Sequence, residues 1–301
     1  MTNPLFQILL YYKYVPIADP EGFHRSHREL CERLGLRGRI LIGEEGINGT
    51  VSGAKAATEE YMEVVYADER FSDMVFKVDP HDGHAFPKLS IKVRSEIVSL
   101  HLRNEDFSPE ETTGKRLSPE EWKAAMEEDG VVILDGRNDY ESDLGRFKGA
   151  ICPPVQNFRD FPDWIRQNLA GQKDKKILTY CTGGIRCEKL SGFLLREGFT
   201  DVSQLEGGIV TYGKDPVTTG KDFDGKCFVF DERIVVEVNR TDTAKTVSRC
   251  RVCGKPSERY VNCRNKACNL KIFLCEACES ERGRFCGSEC RAAVVEKAGV
   301  G

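Results

Sequence analysis

Ile177-Leu-Thr-Tyr180-Cys181-Thr182-Gly183-Gly184-Ile185-Arg186-Cys187 runs from a short apolar segment through a glycine pair into a stretch with helical spacing, Glu188 to Glu197. A brief apolar run bounded by turn residues reads as a strand buried on both faces, as in a parallel sheet. Val131-Val-Ile-Leu134 has the same character. Such strands alternating with helices imply an α/β domain. Cys181 then stands at the carboxyl end of a strand, the edge where open α/β sheets hold their ligands. Upstream, Ser118-Pro119-Glu-Glu121 opens a helix. Ser118 caps it, Pro119 takes the first helical position and Glu121 completes a capping box.

The loop after the strand has the residue types that reactive thiols need. Gly183 and Gly184 let the backbone curl so that several N–H groups turn towards the sulfur. With Arg186 and the start of the next helix, these favour a thiolate over a thiol. A cysteine that merely ends a strand needs no glycine pair and no arginine behind it. Cys181 is therefore read as a nucleophile, or as an acceptor of sulfur or oxygen. Four residues, Thr182 to Ile185, separate it from Arg186. Cysteine-dependent phosphatases use a longer loop, and the tighter ring suits a single sulfur atom. Cys187, in the first turn of the following helix, is either a resolving thiol for an oxidised or persulfidated Cys181 or a packed residue. Asp135 and Arg137 end the neighbouring strand and are expected to hold the loop. Cys31, Cys152 and Cys227 have no such neighbours and read as structural.

The first hundred residues have a different order. Strands are predicted at Phe6 to Tyr14, Arg37 to Ile42, Ile47 to Gly53 and Met74 to Val78, and helices at Pro20 to Leu34 and Ala54 to Tyr66. Asp19 and Pro20 start the first helix and Gly35 stops it. The order βαββαβ is that of a ferredoxin-like α/β sandwich. Leu89 to Leu102 alternates apolar and charged residues and predicts a further strand. Asn104 to Lys115 is polar, with Pro109 and Gly114, and reads as a linker. The expected organisation is a ferredoxin-like domain over 1–103, a linker over 104–117, the central α/β domain over 118–223 and a cysteine-rich module over 224–301. That module opens with a β-like run from Cys227 to Glu237.

Of thirteen cysteines, eight fall between Cys250 and Cys290. With no apolar stretch near the roughly 18 residues of a membrane helix, and no basic, signal-like N-terminus, the chain is expected in the cytosol. There thiols stay reduced, so clustered cysteines point to metal and not to disulfides. Cys250, Cys253, Cys263, Cys268, Cys275, Cys278, Cys286 and Cys290 fit two tetrahedral four-cysteine zinc sites. The segment has little apolar content of its own, so the ions must supply much of its folding energy. Pairing is either interleaved, joining Cys250, Cys253, Cys275 and Cys278, or sequential; the spacing leans towards the interleaved form. The whole chain carries a net charge of −4, which does not mark it as a general nucleic-acid clamp. Local basic faces remain available: Arg37, Arg39, Lys92 and Arg94 are candidate phosphate contacts, or else an ordinary solvated face.

Several motifs together resemble the rhodanese family over roughly residues 118 to 223. Leu134-Asp-Gly-Arg-Asn-Asp-Tyr-Glu141 is similar to its Asp-x-Arg-x-x-x-Glu segment, Gly145-Arg-Phe-Lys-Gly-Ala150 to its Gly-x-x-x-Gly-Ala turn, and Leu205-Glu-Gly-Gly-Ile209 to its closing glycine pair. Gly136 and Arg146 depart from the usual residues beside the loop. Gly43-Glu-Glu-Gly-Ile-Asn-Gly-Thr-Val51, the central domain and the cysteine-rich tail together resemble the bacterial tRNA uridine hydroxylase family over nearly the whole chain. The resemblance implies an oxygen-dependent enzyme that makes 5-hydroxyuridine at wobble position 34 of the tRNA anticodon loop, with Cys181 as its catalytic cysteine. The residues show no Gly-x-Gly-x-x-Gly fingerprint for a flavin or nicotinamide and no haem attachment motif. His81-Asp82-Gly83-His84 holds two histidines and a carboxylate, which can in principle form an iron triad, but Pro80, Asp82 and Gly83 are equally the residues of a turn. Two other functional readings stay open. One is a sulfurtransferase passing on a Cys181 persulfide, recognised by sulfur turnover without any change in tRNA. The other is a non-catalytic zinc-dependent RNA-binding adaptor, recognised by a Cys181→Ser protein that keeps its cellular role.

Overall fold

The computed structural model describes residues 5–102 and 107–298. The N-terminal domain is built from β1 (Phe6–Tyr14), α1 (Pro20–Arg33), β2 (Arg37–Gly43), β3 (Gly46–Ala54), α2 (Lys55–Tyr66), β4 (Lys77–His81) and β5 (Leu89–Val93). Its sheet runs β4-β1-β3-β2-β5, antiparallel except for β2 with β5. This is the ferredoxin-like order with one added edge strand. Asp19 caps α1 by accepting the Gly22 amide, and Gly35 takes the left-handed turn that ends it, at φ 64°. Leu9, Tyr11, Ile40, Ile42 and Val51 point to the helices and form the core, so the residues between them lie on the open face.

Two expectations for this half shift. The fourth strand begins at Lys77, three residues beyond Met74, which is buried in the core ahead of it. The strand-like run from Leu89 stops at Val93 instead of reaching Leu102. Beyond it, the Glu45 carboxylate takes the Ile97 amide and Glu96 takes the Leu100 amide, so the backbone finds side-chain partners and needs no ladder. Its alternation arises because Leu100 packs into the core of the next domain. Residues 103–106, where the expected linker begins, lie outside the described residues. Further along that linker, Phe107 packs on the central core and the Gly114 amide donates to Ser191.

The central domain is made of β6 (Lys115–Leu117), α3 (Pro119–Met126), β7 (Val132–Asp135), α4 (Asp139–Ser142), β8 (Gly145–Phe147), α5 (Phe161–Asn168), β9 (Lys176–Tyr180), α6 (Ile185–Arg196), β10 (Asp201–Leu205) and α7 (Gly208–Tyr212). The sheet β6-β10-β9-β7 is parallel throughout. Consecutive residues of each strand serve opposite cores: Leu134 and Ile177 one side, Ile133 and Leu178 the other. That is why these strands read as unbroken apolar runs. The predicted Ser118 capping box is present.

The chain then forms β11 (Phe223–Phe228) and β12 (Val235–Glu237), the hairpin β13 (Tyr260–Asn262) and β14 (Lys271–Phe273), α8 (Glu276–Arg282) and α9 (Ser288–Ala298). The run expected over Cys227 to Glu237 is two strands folded on each other, with a turn at Ile234, φ 63°. β11 crosses the expected boundary between residues 223 and 224 and pairs antiparallel with β8, so it extends the central domain.

Candidate active site

Cys181 leaves β9 at its carboxyl end with its side chain wholly buried. Gly184, at φ +103°, turns its amide to within 3.1 Å of Sγ, a conformation closed to residues with a Cβ. Burial by itself raises a thiol. Here the bond from the Cys187 thiol, the charge of Arg186 and the amides of Cys187 and Gly184 outweigh it, and Cys181 lies below the ordinary thiol value. Cys187 moves the opposite way, well above it, through burial and the same bond. One proton is thus held on Cys187 and the negative charge on Cys181. Burial pushes Cys31 up to about 12 and Cys152 and Cys227 up to about 11, so those three stay thiols at neutral pH.

Arg186 does not hang free beside the sulfur. Its guanidinium donates twice to the buried Glu141 carboxylate, at 2.6 and 2.8 Å, and Thr182 Oγ1 donates to the same group at 3.3 Å. In the sequence Glu141 stands out only as the last residue of a motif. That acid following Asp135 and Arg137 at fixed spacing is the signal for its role. Asp135 and Arg137 pair with each other, fully buried, at 2.6 Å. They reach the loop through Tyr180, whose hydroxyl donates to Asp135 at 2.7 Å. The closing glycine pair brings a further contact that composition does not reveal. Gly208, at φ +70°, lies so close that a Cβ there would stand 2.6 Å from the Cys181 carbonyl oxygen. The Ile209 and Val210 amides donate to the Cys181 and Thr182 carbonyls.

The open face of the N-terminal sheet covers this loop. Leu10 packs over Gly183 and Tyr12 over Gly184, and the Tyr12 hydroxyl donates to Glu188 at 3.1 Å. Glu188 also accepts from Arg116, Thr113 and Gln204. The glycine-rich motif at residues 43–51 supplies a second tie: Glu45, with Glu96, meets the fully buried Lys189 of α6. Beside these contacts a cleft of about 570 Å³ opens between the domains. Arg37, Arg39 and Lys92 lie exposed on the same sheet face as Leu10 and Tyr12, through the registers Arg39↔Thr50↔Leu10 and Lys92↔Leu41↔Asn48↔Tyr12. Arg94 follows β5, also exposed.

The eight tail cysteines form two sets in the interleaved arrangement: Cys250, Cys253, Cys275 and Cys278, and Cys263, Cys268, Cys286 and Cys290, the sulfurs of each set within 4.8 Å of one another. Each set is placed to hold a metal ion. Gly254, at φ 70°, makes the turn after Cys253. Lys271 of the hairpin lies over the rings of Tyr140, Phe228 and Tyr260, joining this module to the turn that carries Glu141. In the His81–His84 turn, His81 Nδ1 lies 2.7 Å from the Gly83 carbonyl and His84 Nδ1 lies 3.2 Å from that of Ser52, which is turn and sheet bonding. Among the described residues no helix is long and apolar enough to cross a membrane.

Comparison with known proteins covers all three segments. Residues 6–97 match the UPF0176 acylphosphatase-like domain, 118–215 the rhodanese-like domain and 224–291 the rhodanese C-terminal domain. Proteins named tRNA uridine(34) hydroxylase from Staphylococcus aureus strains bovine RF122 / ET3-1 and JH9 are each 54% identical over 285 residues, 95% of this chain and 89% of theirs. A crystal structure of a rhodanese-like domain protein from Staphylococcus aureus is 30% identical, covering 33% of this chain and 91% of that one, with a TM-score of 0.28.

Proposed function

The chain belongs to the tRNA uridine(34) hydroxylase family, and from that membership we propose that it hydroxylates the wobble uridine of tRNA at C5, with molecular oxygen as co-substrate and Cys181 as the reactive residue. The observation that carries this reading is the Cys181 cradle, a buried sulfur held as thiolate by the Gly184 and Cys187 donors and by Arg186 on Glu141. Uracil C5 is not nucleophilic enough to meet oxygen unaided. A thiolate can add to C6 and make C5 enolate-like, or it can carry an activated oxygen. Both routes require the thiolate, with Thr182, Gly183 and Gly184 shaping the loop, and Asp135 and Arg137 bracing it through Tyr180.

The substrate is the tRNA anticodon loop, met in the cytoplasm, with Arg37, Arg39, Lys92 and Arg94 as phosphate contacts. Each cysteine set fits Zn²⁺. Tetrahedral Zn–S bonds of about 2.3 Å separate the sulfurs by about 3.8 Å, and Cys253 and Cys275 stand at 3.8 Å, Cys268 and Cys286 at 3.6 Å. The two ions would hold the tail's fold; zinc has no redox chemistry of its own.

Deleting the gene should remove 5-hydroxyuridine and its derivatives from wobble uridines. Wild-type protein should restore them, whereas Cys181→Ser should not, and anaerobic growth should suppress them. Nucleoside analysis that finds wobble modification unchanged in the deletion strain, with no redundant pathway, sinks the reading. A tight loop that suits one extra sulfur also favours a persulfide carrier, and high thiosulfate:cyanide turnover without any tRNA change would select that account.

A further inference from the structure

The interdomain cleft is lined by Tyr12 and Tyr14 of β1, Lys77 of β4, and Arg116, Gln204 and Gly207 of the central domain, among others. Its volume of about 570 Å³ falls within the roughly 300–1,000 Å³ typical of small-molecule sites. Two of the residues that line it carry polar groups with no hydrogen bond or ion pair among the described residues, Tyr14 and Lys77. The Tyr14 hydroxyl is buried, its residue 8% exposed, and has no hydrogen bond among the described residues. Lys77 makes no ion pair among the described residues; its Nζ lies 5.3 Å from the centroid of the Tyr12 ring. Neighbouring cations are occupied, Lys13 by Asp73 and Arg116 by Glu188. A buried hydroxyl left unpaired is costly, and a ligand that accepts hydrogen bonds removes that cost.

We propose that this cleft receives the uracil base extruded from the anticodon loop, with Lys77 Nζ donating to its O4 carbonyl and the Tyr14 hydroxyl giving a second hydrogen bond. The inference rests on the hydroxylase reading and names the site of its substrate. A sulfur as deeply buried as Cys181 is reached by a base only when it has left its stack, and tyrosine rings are ready surfaces for one. An ammonium donates and never accepts. It therefore selects the O4 of uracil over the amino group that cytosine carries at that position. Tyr12 stands between the cleft and Gly184, whose amide holds the sulfur, so displacing that ring joins the base to the thiolate. When Cys181 adds, the S–C6 bond forms and the C5–C6 π pair moves through C4 onto O4, an enolate oxygen facing Lys77. No oxidant is consumed in this step; oxygen enters afterwards as the co-substrate. Burial, with Lys214 nearby, lowers the Lys77 ammonium to about 8 against the pull of Cys181, which leaves it charged at neutral pH.

An anticodon stem-loop carrying 5-iodouridine at position 34, irradiated with the full-length protein, should crosslink to the peptide holding Tyr12 and Tyr14. Lys77→Met should lower 5-hydroxyuridine formation on tRNA by roughly 10²- to 10³-fold, with tRNA affinity changed less than about threefold. Lys77→Arg, which keeps the cation, should recover part of the rate. Wild-type turnover by Lys77→Met, or a crosslink elsewhere in an active protein, overturns the base site and leaves the hydroxylase reading standing. A crosslink in the cleft of a wild-type protein that leaves uridine 34 unmodified upholds the base site and sinks the hydroxylase reading.

Discussion

The Glu141 carboxylate takes two N–H bonds from Arg186 and one hydroxyl bond from Thr182, out of reach of water. Removing one partner of a buried ion pair leaves an uncompensated charge and costs about 3–5 kcal/mol. Glu141→Gln should therefore lower stability in urea unfolding by about 3 kcal/mol. It should also let Arg186 swing away from the sulfur and so raise the Cys181 pKa. In the wild type that pKa lies below the ordinary thiol value, so the thiolate persists as pH falls through the range where a free cysteine has already gained its proton. The midpoint of Cys181 alkylation against pH reports this directly, because restricted access of the reagent slows the reaction at every pH and leaves the midpoint in place. Wild-type and Glu141→Gln proteins sharing one midpoint would contradict the clamp. Cys181, its glycines and Arg186 were legible in sequence because they are contiguous and their chemistry is local. Glu141 lies 45 residues from Arg186, and only the fold brings the two together.

At the scale of elements, the start of α7 serves the loop after β9. Gly208 holds φ +70° where a Cβ would strike the Cys181 carbonyl oxygen and the Gly184 amide. Gly208→Ala combines left-handed strain with that clash and should destabilise by about 1–3 kcal/mol. Because the contact falls on the reactive loop, 5-hydroxyuridine formation should drop further than the shift in thermal midpoint suggests; full activity in a destabilised protein would refute the loop contact. Elements with one environment were legible: β1 matches its predicted span, and α3 opens on the predicted capping box. The run from Leu89 was not, because Ile91 packs in the N-terminal core and Leu100 in the central one. Alternation produced by two cores resembles alternation produced by one sheet.

Across the whole molecule, the ties between domains run through charged groups that sequence alone leaves unassigned, such as Lys189 with Glu45 and Glu96, and Arg233 with Asp79. The tail is held differently. Its small apolar cluster centres on Ile272 and Leu274 beside the clustered cysteines, so few groups that bound metal is expected to supply the rest of its order. Elemental analysis should find about two zinc ions per chain. Chelation, or Cys250→Ser, should open residues beyond 249 to protease while the parallel sheet stays folded. Absence of zinc, or iron with visible absorbance, would reject the assignment.

The pairing of β11 with β8 bears on how the protein is made. A nascent chain emerging from the ribosome can complete its N-terminal sandwich early, since β5 ends at Val93. The central domain has to wait for residues 223–228, because until β11 arrives β8 is a bare edge and Phe147 lacks the ring of Phe223 against it. Exposed edges with apolar flanks invite pairing between copies. Chains released at residue 222 should aggregate on synthesis, while chains released at residue 249, without any of the eight clustered cysteines, should stay soluble. Translation that pauses after β10 would prolong the vulnerable interval, so the yield of soluble protein should depend on how quickly the ribosome moves from residue 205 to residue 228.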